Sequence, residues 1–322
     1  MRGKMNTFQG WSGKRSNVGA KPFLMPTGYS ELRLTLTAGT PVTTSDVTAA
    51  SSISLTAHNG NRIALPTAWG EWGLFRLPQT SAGIYQISQS FLANSAWALV
   101  SGTVYDVFAY LDHNGWVNIE RGPAWSSSIA RAATGAIGLL DGAEVLAGDP
   151  TRLWIGTLGS SGTNTVDDSS AKRYLWNRYN RAARFFKAVE TTDSWTYTTD
   201  DWRESNGGST EGTSRVGLII GKAVEIVEAW AIATNSTTLS GGITAPSGIG
   251  IDSSTASSSQ IVTGSAVGQG AQPSHSYYAG YPGIGYHTVS WLERSVASGT
   301  TTWYGDAGLS YFQAGMYGHF WA

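Results

Sequence analysis

The sequence predicts an all-β protein, a large antiparallel β-sandwich of jelly-roll type preceded by an extended N-terminal arm. Three observations lead there. Fourteen Trp and fourteen Tyr load the chain with residues that favour pleated, half-buried positions. Apolar residues recur at every second position in one run after another, the period of a strand with one buried face. Forty glycines, with abundant Ser, Thr and Asn, separate those runs by turn chemistry. No internal repeat of roughly 20 to 50 residues is visible, which argues against propellers and solenoids.

Residues 1–30 stand apart. Lys4, Lys14, Arg15 and Lys21 are basic, acidic residues are absent, and Phe8, Trp11, Phe23 and Tyr29 are scattered without period among Gly, Ser and Pro. Such a segment cannot bury its own aromatics. It reads as an arm that orders by lying on a partner, with Phe8, Trp11, Lys14 and Arg15 as candidate anchoring residues; a frayed terminus is the alternative.

From Leu32 the pattern is alternation, with Leu32, Leu34 and Leu36 on one face and Arg33, Thr35 and Thr37 on the other. Strands are expected at 53–57, 62–65, 74–77, 83–88, 103–111 and 116–120. The turn Asp112-His-Asn-Gly lies between Val104-Tyr-Asp-Val-Phe-Ala-Tyr and Trp116-Val-Asn-Ile-Glu, which makes it the clearest hairpin signal in the chain. Residues 126–149 are richer in Ala and Leu and read as a connector, a short helix being an open alternative. Strands resume at 152–158, 171–177, 184–190 and 194–199. The apolar stretch Val216 to Thr234 has mixed periodicity; Gly217 and Gly221 favour strands over a helix. Residues 236–276 are dominated by Ser, Thr, Gly and Ala and read as loops with short strands. Tyr286-His-Thr-Val-Ser-Trp-Leu-Glu alternates again, before Thr300-Thr-Thr-Trp-Tyr-Gly-Asp and Ser310-Tyr-Phe-Gln-Ala-Gly-Met close the chain. The organisation expected is therefore an arm (1–30), a first β-rich half (31–125), a connector (126–149) and a second β-rich half (150–322), the halves being able to form one domain.

Charge and chemistry narrow the function classes. Only 13% of residues are charged and the net charge is −1, so no global field draws the chain to nucleic acid or to an anionic membrane. There is no cysteine, which removes disulfides, thiol catalysis and Cys-type zinc sites. The first residues lack the apolar block of a signal peptide and no apolar run is long enough to span a bilayer, so synthesis in the cytosol and no membrane insertion are expected. The five histidines, His58, His113, His275, His287 and His319, show no metal-ligand spacing, and neither a Gly-x-Ser-x-Gly elbow nor a phosphate-binding loop occurs. Asp167-Asp168 and Asp200-Asp201 are adjacent pairs whose members point to opposite faces of a strand, so they read as solvated turn carboxylates more than as a general acid and base. No catalytic residue, metal or cofactor is expected.

Two aromatic groups remain. Trp69, Trp72, Trp125, Tyr277, Tyr278 and Tyr281 sit among Gly, Ser and Pro, where an open ring can stack on a sugar; Trp69, Trp72, Tyr277, Tyr278 and Tyr281 are the candidate glycan-binding residues. Plugs at the ends of the sandwich, or a subunit interface, are the alternative reading. The run from Ala171 to Arg203 crowds basic and aromatic residues together. Its alternation places Trp195 and Tyr197 on one face, and Lys172, Tyr174 and Trp176 on one face of their own strand, which is core or interface patterning.

Several runs, taken in order, carry a resemblance: Leu32-Arg-Leu-Thr-Leu-Thr-Ala-Gly-Thr-Pro-Val-Thr-Thr-Ser-Asp, Asn61-Arg-Ile-Ala-Leu, Tyr105-Asp-Val-Phe-Ala-Tyr, Gly148-Asp-Pro-Thr-Arg, Ala171-Lys-Arg-Tyr-Leu-Trp-Asn-Arg-Tyr-Asn-Arg, Asp193-Ser-Trp-Thr-Tyr-Thr-Thr and Ser298-Gly-Thr-Thr-Thr-Trp-Tyr-Gly-Asp. Over about residues 30 to 322 the chain resembles fibre and spike proteins of tailed bacteriophages and prophages. The resemblance implies a non-enzymatic structural component of the virion, mounted on tail or capsid, trimeric, held to other virion proteins by its arm and touching a host-surface glycan. A purely structural capsid decoration and a polysaccharide-modifying enzyme on the same kind of particle are the rival readings.

Overall fold

The computed structural model describes residues 28–67, 70–92, 95–264 and 270–322. They form an all-β protein whose strands pair antiparallel except at one place, where Lys172–Arg173 runs parallel to Arg215–Ile220. Helical structure among them is confined to two single 3₁₀ turns, Ala133–Gly135 and Ser205–Gly207. The strands are shared among five sheets rather than the two of a simple sandwich.

The N-terminal part supplies a three-stranded sheet, Leu32–Thr35, Ser52–Ala57 and Gln86–Ser90, and the two-stranded ribbon Arg62–Pro66 with Trp72–Arg76. Next comes a six-stranded sheet built on the hairpin Val104–Leu111 and Val117–Ala124. Its turn is set by Asp112, whose Oδ1 accepts from the amides of Asn114 and Trp116 at 2.9 Å each, and by Gly115 at φ +77°, a conformation that favours a residue without Cβ. The Val104–Leu111 strand also pairs with the long strand Asp149–Gly159, which carries the short hairpin Ile137–Leu140 and Ala143–Leu146 on its far side. The stretch expected to connect two halves thus contributes a hairpin to this sheet, preceded by the single 3₁₀ turn Ala133–Gly135.

Two seven-stranded sheets complete the molecule. One is centred on Gly285–Glu293, flanked by Arg215–Ile220 and Ser247–Ile251, and reaches through Lys172–Arg173 and Val166–Asp168 to Val47–Ala50. The other is centred on Val227–Thr237, which pairs along its length with Gln272–Gly280 on one side and with Gly315–Trp321 and then Thr301–Tyr304 on the other. Ala183–Val189 and Ile261–Gly264 form its edges. Strands from residues 31–125 and 150–322 therefore share sheets, and the buried apolar side chains form one continuous core.

Packing between sheets depends on residue size at the contact. The Trp195 and Trp291 rings meet edge to face at 6.3 Å between the two large sheets. Gly156 lies so close to the neighbouring backbone that a Cβ there would stand 2.5 Å from the Trp176 carbonyl and 2.7 Å from Leu34 Cδ1, which is why the Leu32–Thr35 sheet can close on the six-stranded one. Apolar Val216 to Thr234 is two strands, Arg215–Ile220 and Val227–Thr237, and not a helix.

Five arginines of the 171–203 run are committed to carboxylates of the same chain, and two of them, Arg173 and Arg184, are buried. Arg173 and Arg184 both bind Asp168, at 3.0 and 2.6 Å, Arg178 meets Glu144, Arg181 meets Glu225, and Arg203 holds Glu293 at 2.6 Å. Asp167 and Asp168, expected as solvated turn carboxylates, are buried in a short strand because these cations and the Ser161 hydroxyl supply their partners.

Candidate functional site

The outer face of the Val227–Thr237 sheet carries a row of aromatic side chains that no other part of the described chain covers. Alternation along each strand puts them there. In Val227–Thr237 the residues Val227, Ala229, Ala231 and Ala233 point into the core, so Glu228, Trp230 and Ile232 point out. The same rule sends Tyr317 and His319 outward from Gly315–Trp321, Phe185 and Lys187 from Ala183–Val189, and Tyr277 and His275 from Gln272–Gly280.

Register then aligns them across the strands. Lys187 stands opposite Tyr317, Tyr317 opposite Trp230, Trp230 opposite Tyr277 and Tyr277 opposite Ile261. Trp230 and Tyr317 stack, with centroids 5.4 Å apart and planes 16° apart; Trp230 and Tyr277 lie 5.2 Å apart at 41°. His319 stacks on the other side of Trp230 at 6.0 Å and 15°, and Phe185 follows at 5.8 Å. Glu228 fixes two of the rings, accepting from the Tyr277 hydroxyl at 3.0 Å and lying 3.3 Å from His319 Nε2. Desolvation of the Tyr277 hydroxyl, slight as it is, raises its pKa above the ordinary value, helped by the bond to Glu228 and by that carboxylate's charge.

Cross-strand aromatic pairs stabilise a sheet on their own, by about 0.2–1 kcal/mol each. That role does not require the apolar area left in water here: Phe185 is 66% exposed, Ile261 57% and Tyr317 49%. An open groove of about 510 Å³ borders the row, between Thr44, Asp46 and Ser170 on one side and Phe185, Lys187 and Tyr317 on the other. A flat aromatic row with a pinned carboxylate, imidazole and ammonium at its margins can stack on a planar or gently curved ligand and hydrogen-bond its edges. Among the described residues no group of three or more His, Cys, Asp or Glu gathers to hold a metal, and no helix is long and apolar enough to cross a membrane.

Of the residues singled out in the sequence, Tyr277 lies in this row. Tyr278 points the other way and is buried. Tyr281 follows in the turn after that strand, 62% exposed. Trp72 sits elsewhere and is committed inside the molecule, its Nε1 donating to Asp141 at 3.1 Å and its ring 4.9 Å from Tyr29. Trp125 is buried and donates to Asp106 at 3.0 Å. Trp69 and the arm residues Phe8, Trp11, Lys14 and Arg15 lie outside the described residues. Phe185, Trp230, Tyr317 and His319 lie within strands, away from the turns where open aromatics are expected. Their signal was the two-residue spacing of Glu228, Trp230 and Ile232, and of Tyr317, His319 and Trp321, opposite small or apolar core positions.

No family model matches the sequence, and a search of curated proteins finds no match. Solved structures that overlap the chain include BuGH86 in complex with neoagarooctaose (9% identity, TM-score 0.22, 86% of this chain on 34% of that one), infectious bursal disease virus Gx strain (11%, 0.24, 86% on 75%) and the insecticidal delta-endotoxin Cry8Ea1 of Bacillus thuringiensis (6%, 0.24, 85% on 49%). The chain spans about a third of the length of BuGH86. Overlap at these TM-scores carries no argument about what the chain does.

Proposed function

We propose that this chain is a non-enzymatic structural protein of a tailed-bacteriophage virion, a fibre or spike that assembles as a trimer, anchors through residues 1–30 and presents the Trp230 row to glycan on the host surface. The observation that carries the glycan role is the internally stacked row Phe185, His319, Tyr317, Trp230 and Tyr277, in which Phe185 and Tyr317 are exposed and the other three half-buried. Support for the virion role is the ordered series of fibre-like runs over residues 30 to 322, with a neutral, Ser/Thr/Gly-rich surface that tolerates dense assembly. Three copies around an axis would present three such rows, so weak contacts would combine by multivalency.

Binding of the purified protein to a glycan array and to intact host cells tests the glycan role, with Trp230→Ala expected to lose retention at unchanged oligomeric state. Retention by the variant equal to that of the wild type would remove the row from receptor binding. Deleting residues 1–30 is expected to abolish incorporation into particles while leaving a folded oligomer, and light scattering after size exclusion should return three times the 34.2 kDa chain mass. The rival reading, a decoration protein with no receptor role, predicts no binding to any glycan or cell.

A further inference from the structure

On a different part of the molecule, the parallel pair Lys172–Arg173 and Arg215–Ile220 meets the ends of Val104–Leu111 and Asp149–Gly159, and a cleft of about 300 Å³ opens there. We propose that this cleft is a second binding site, for a single neutral, hydroxyl-rich sugar ring whose adjacent hydroxyls bond to the Lys172 ammonium and the Glu211 carboxylate.

The polar groups are arranged for that ligand. Glu211 Oε1 accepts from the Tyr174 hydroxyl at 2.6 Å and from the Tyr286 hydroxyl at 3.0 Å, which fixes the carboxylate and leaves Oε2 towards Lys172. The two tyrosine rings meet edge to face at 5.8 Å and form an aromatic wall. Burial raises both tyrosine hydroxyls, Tyr286 to about 12, so at neutral pH they act as donors to Glu211. Lys172 Nζ lies 3.5 Å from Asp167 Oδ2 and 3.6 Å from Glu211 Oε2, at the outer limit of ion-pair contact, and donates no hydrogen bond among the described residues. Its N–H groups are therefore free to reach an acceptor in the cleft.

Charge selects the class. One ammonium between two carboxylates leaves the site net negative, which disfavours phosphates, sulfates and uronic acids. Lys172 already fills the position between the carboxylates that a ligand cation would take. A neutral ligand with adjacent hydroxyls satisfies both sides, accepting from Lys172 with one and donating to Glu211 Oε2 with the next. The volume is at the lower end of the range for small-molecule sites and equals the share of about ten waters, room for one ring and not for a chain. Ser160 and Ser161 also line the cleft, but their hydroxyls are spent on the Val100 carbonyl and on Asp167, so Lys172 and Glu211 carry the recognition.

Saturation-transfer NMR on the full-length protein, with methyl glycosides of glucose, galactose, mannose and N-acetylglucosamine, tests the proposal; glucuronic acid and inorganic phosphate serve as anionic controls. At least one neutral glycoside is expected to receive saturation, with affinity falling about tenfold or more in Lys172→Met and in Glu211→Gln. Ser101→Trp, which crowds the exposed rim without touching the buried bonds, should have the same effect if either of those variants misfolds. The same measurements in the Trp230→Ala background remove any contribution of the aromatic row, and saturation that persists there reports the cleft. Saturation of none of the neutral glycosides in that background, a signal there surviving all three cleft variants, or preferential binding of the anions would each overturn it.

Discussion

Glu293 is the most deeply buried carboxyl in the structure, with no accessible surface, and burial pushes it up to about 7 from an ordinary value near 4.5, against the pull of Arg203 and the Trp195 N–H. A raised carboxyl pKa means that between these two values the folded chain holds a proton the unfolded chain has released, so stability is present below about pH 4.5 and is lost as pH rises through about 7. The loss is bounded at about 3 kcal/mol by the size of the shift. Thermal unfolding followed from pH 4.5 to 8 should show this decline in the wild type and a flatter profile in Glu293→Gln; parallel profiles would refute the assignment. At the same scale, Trp230→Ala removes stacked pairs worth about 1–2 kcal/mol together, a modest drop in Tm beside a complete loss of binding.

Strands explain why some of this was legible in the sequence and some was not. Alternation located the strands well, because a period of two is a local property: 62–65 was expected and Arg62–Pro66 forms, 103–111 was expected and Val104–Leu111 forms. The Asp112 turn was legible for the same reason. What alternation cannot say is which strands lie side by side, so the row through Tyr317, Trp230 and Tyr277, assembled from three distant segments, could not be read. Nor could it tell an ammonium facing water from a guanidinium buried against Asp168: Arg173 and Arg184 are buried there, whereas Lys187 of the same run is exposed. The inner face of Val227–Thr237 makes its own prediction. Ala229, Ala231 and Ala233 are fully buried, and their small size sets the spacing to the facing sheet, so Ala231→Leu should cost about 1–3 kcal/mol by overpacking, measured by denaturant titration with the m-value unchanged.

At the scale of the molecule, first and last strands are tied together. Arg33, in the Leu32–Thr35 strand, donates to the Pro41, Asn180 and Ala322 carbonyls at 2.9, 2.6 and 2.5 Å, and burial together with nearby Arg184 lowers its pKa to about 10. Arg33→Met would orphan the Pro41 and Asn180 carbonyls, the Ala322 oxygen keeping the Ala182 amide, and should lower stability by about 2 kcal/mol or more. Because the core is continuous and strands from both parts of the chain share sheets, calorimetry should find one cooperative transition for residues 28–322; two resolved transitions would show that the parts fold separately.

The aromatic row has a temporal consequence as well. Its members arrive in the order Phe185, Trp230, Tyr277, Tyr317, His319, and the later strand Gly315–Trp321 is the one that slots between Ala183–Val189 and Val227–Thr237. Until it emerges from the ribosome those two strands have no shared neighbour, and the row has a gap at its middle. Pairings of such large sequence separation form slowly, since the loops must close first. A chain without Gly315–Trp321 would keep the Trp230 and Tyr277 pair but lose Tyr317 and His319, so the complete row depends on the slowest of these pairings.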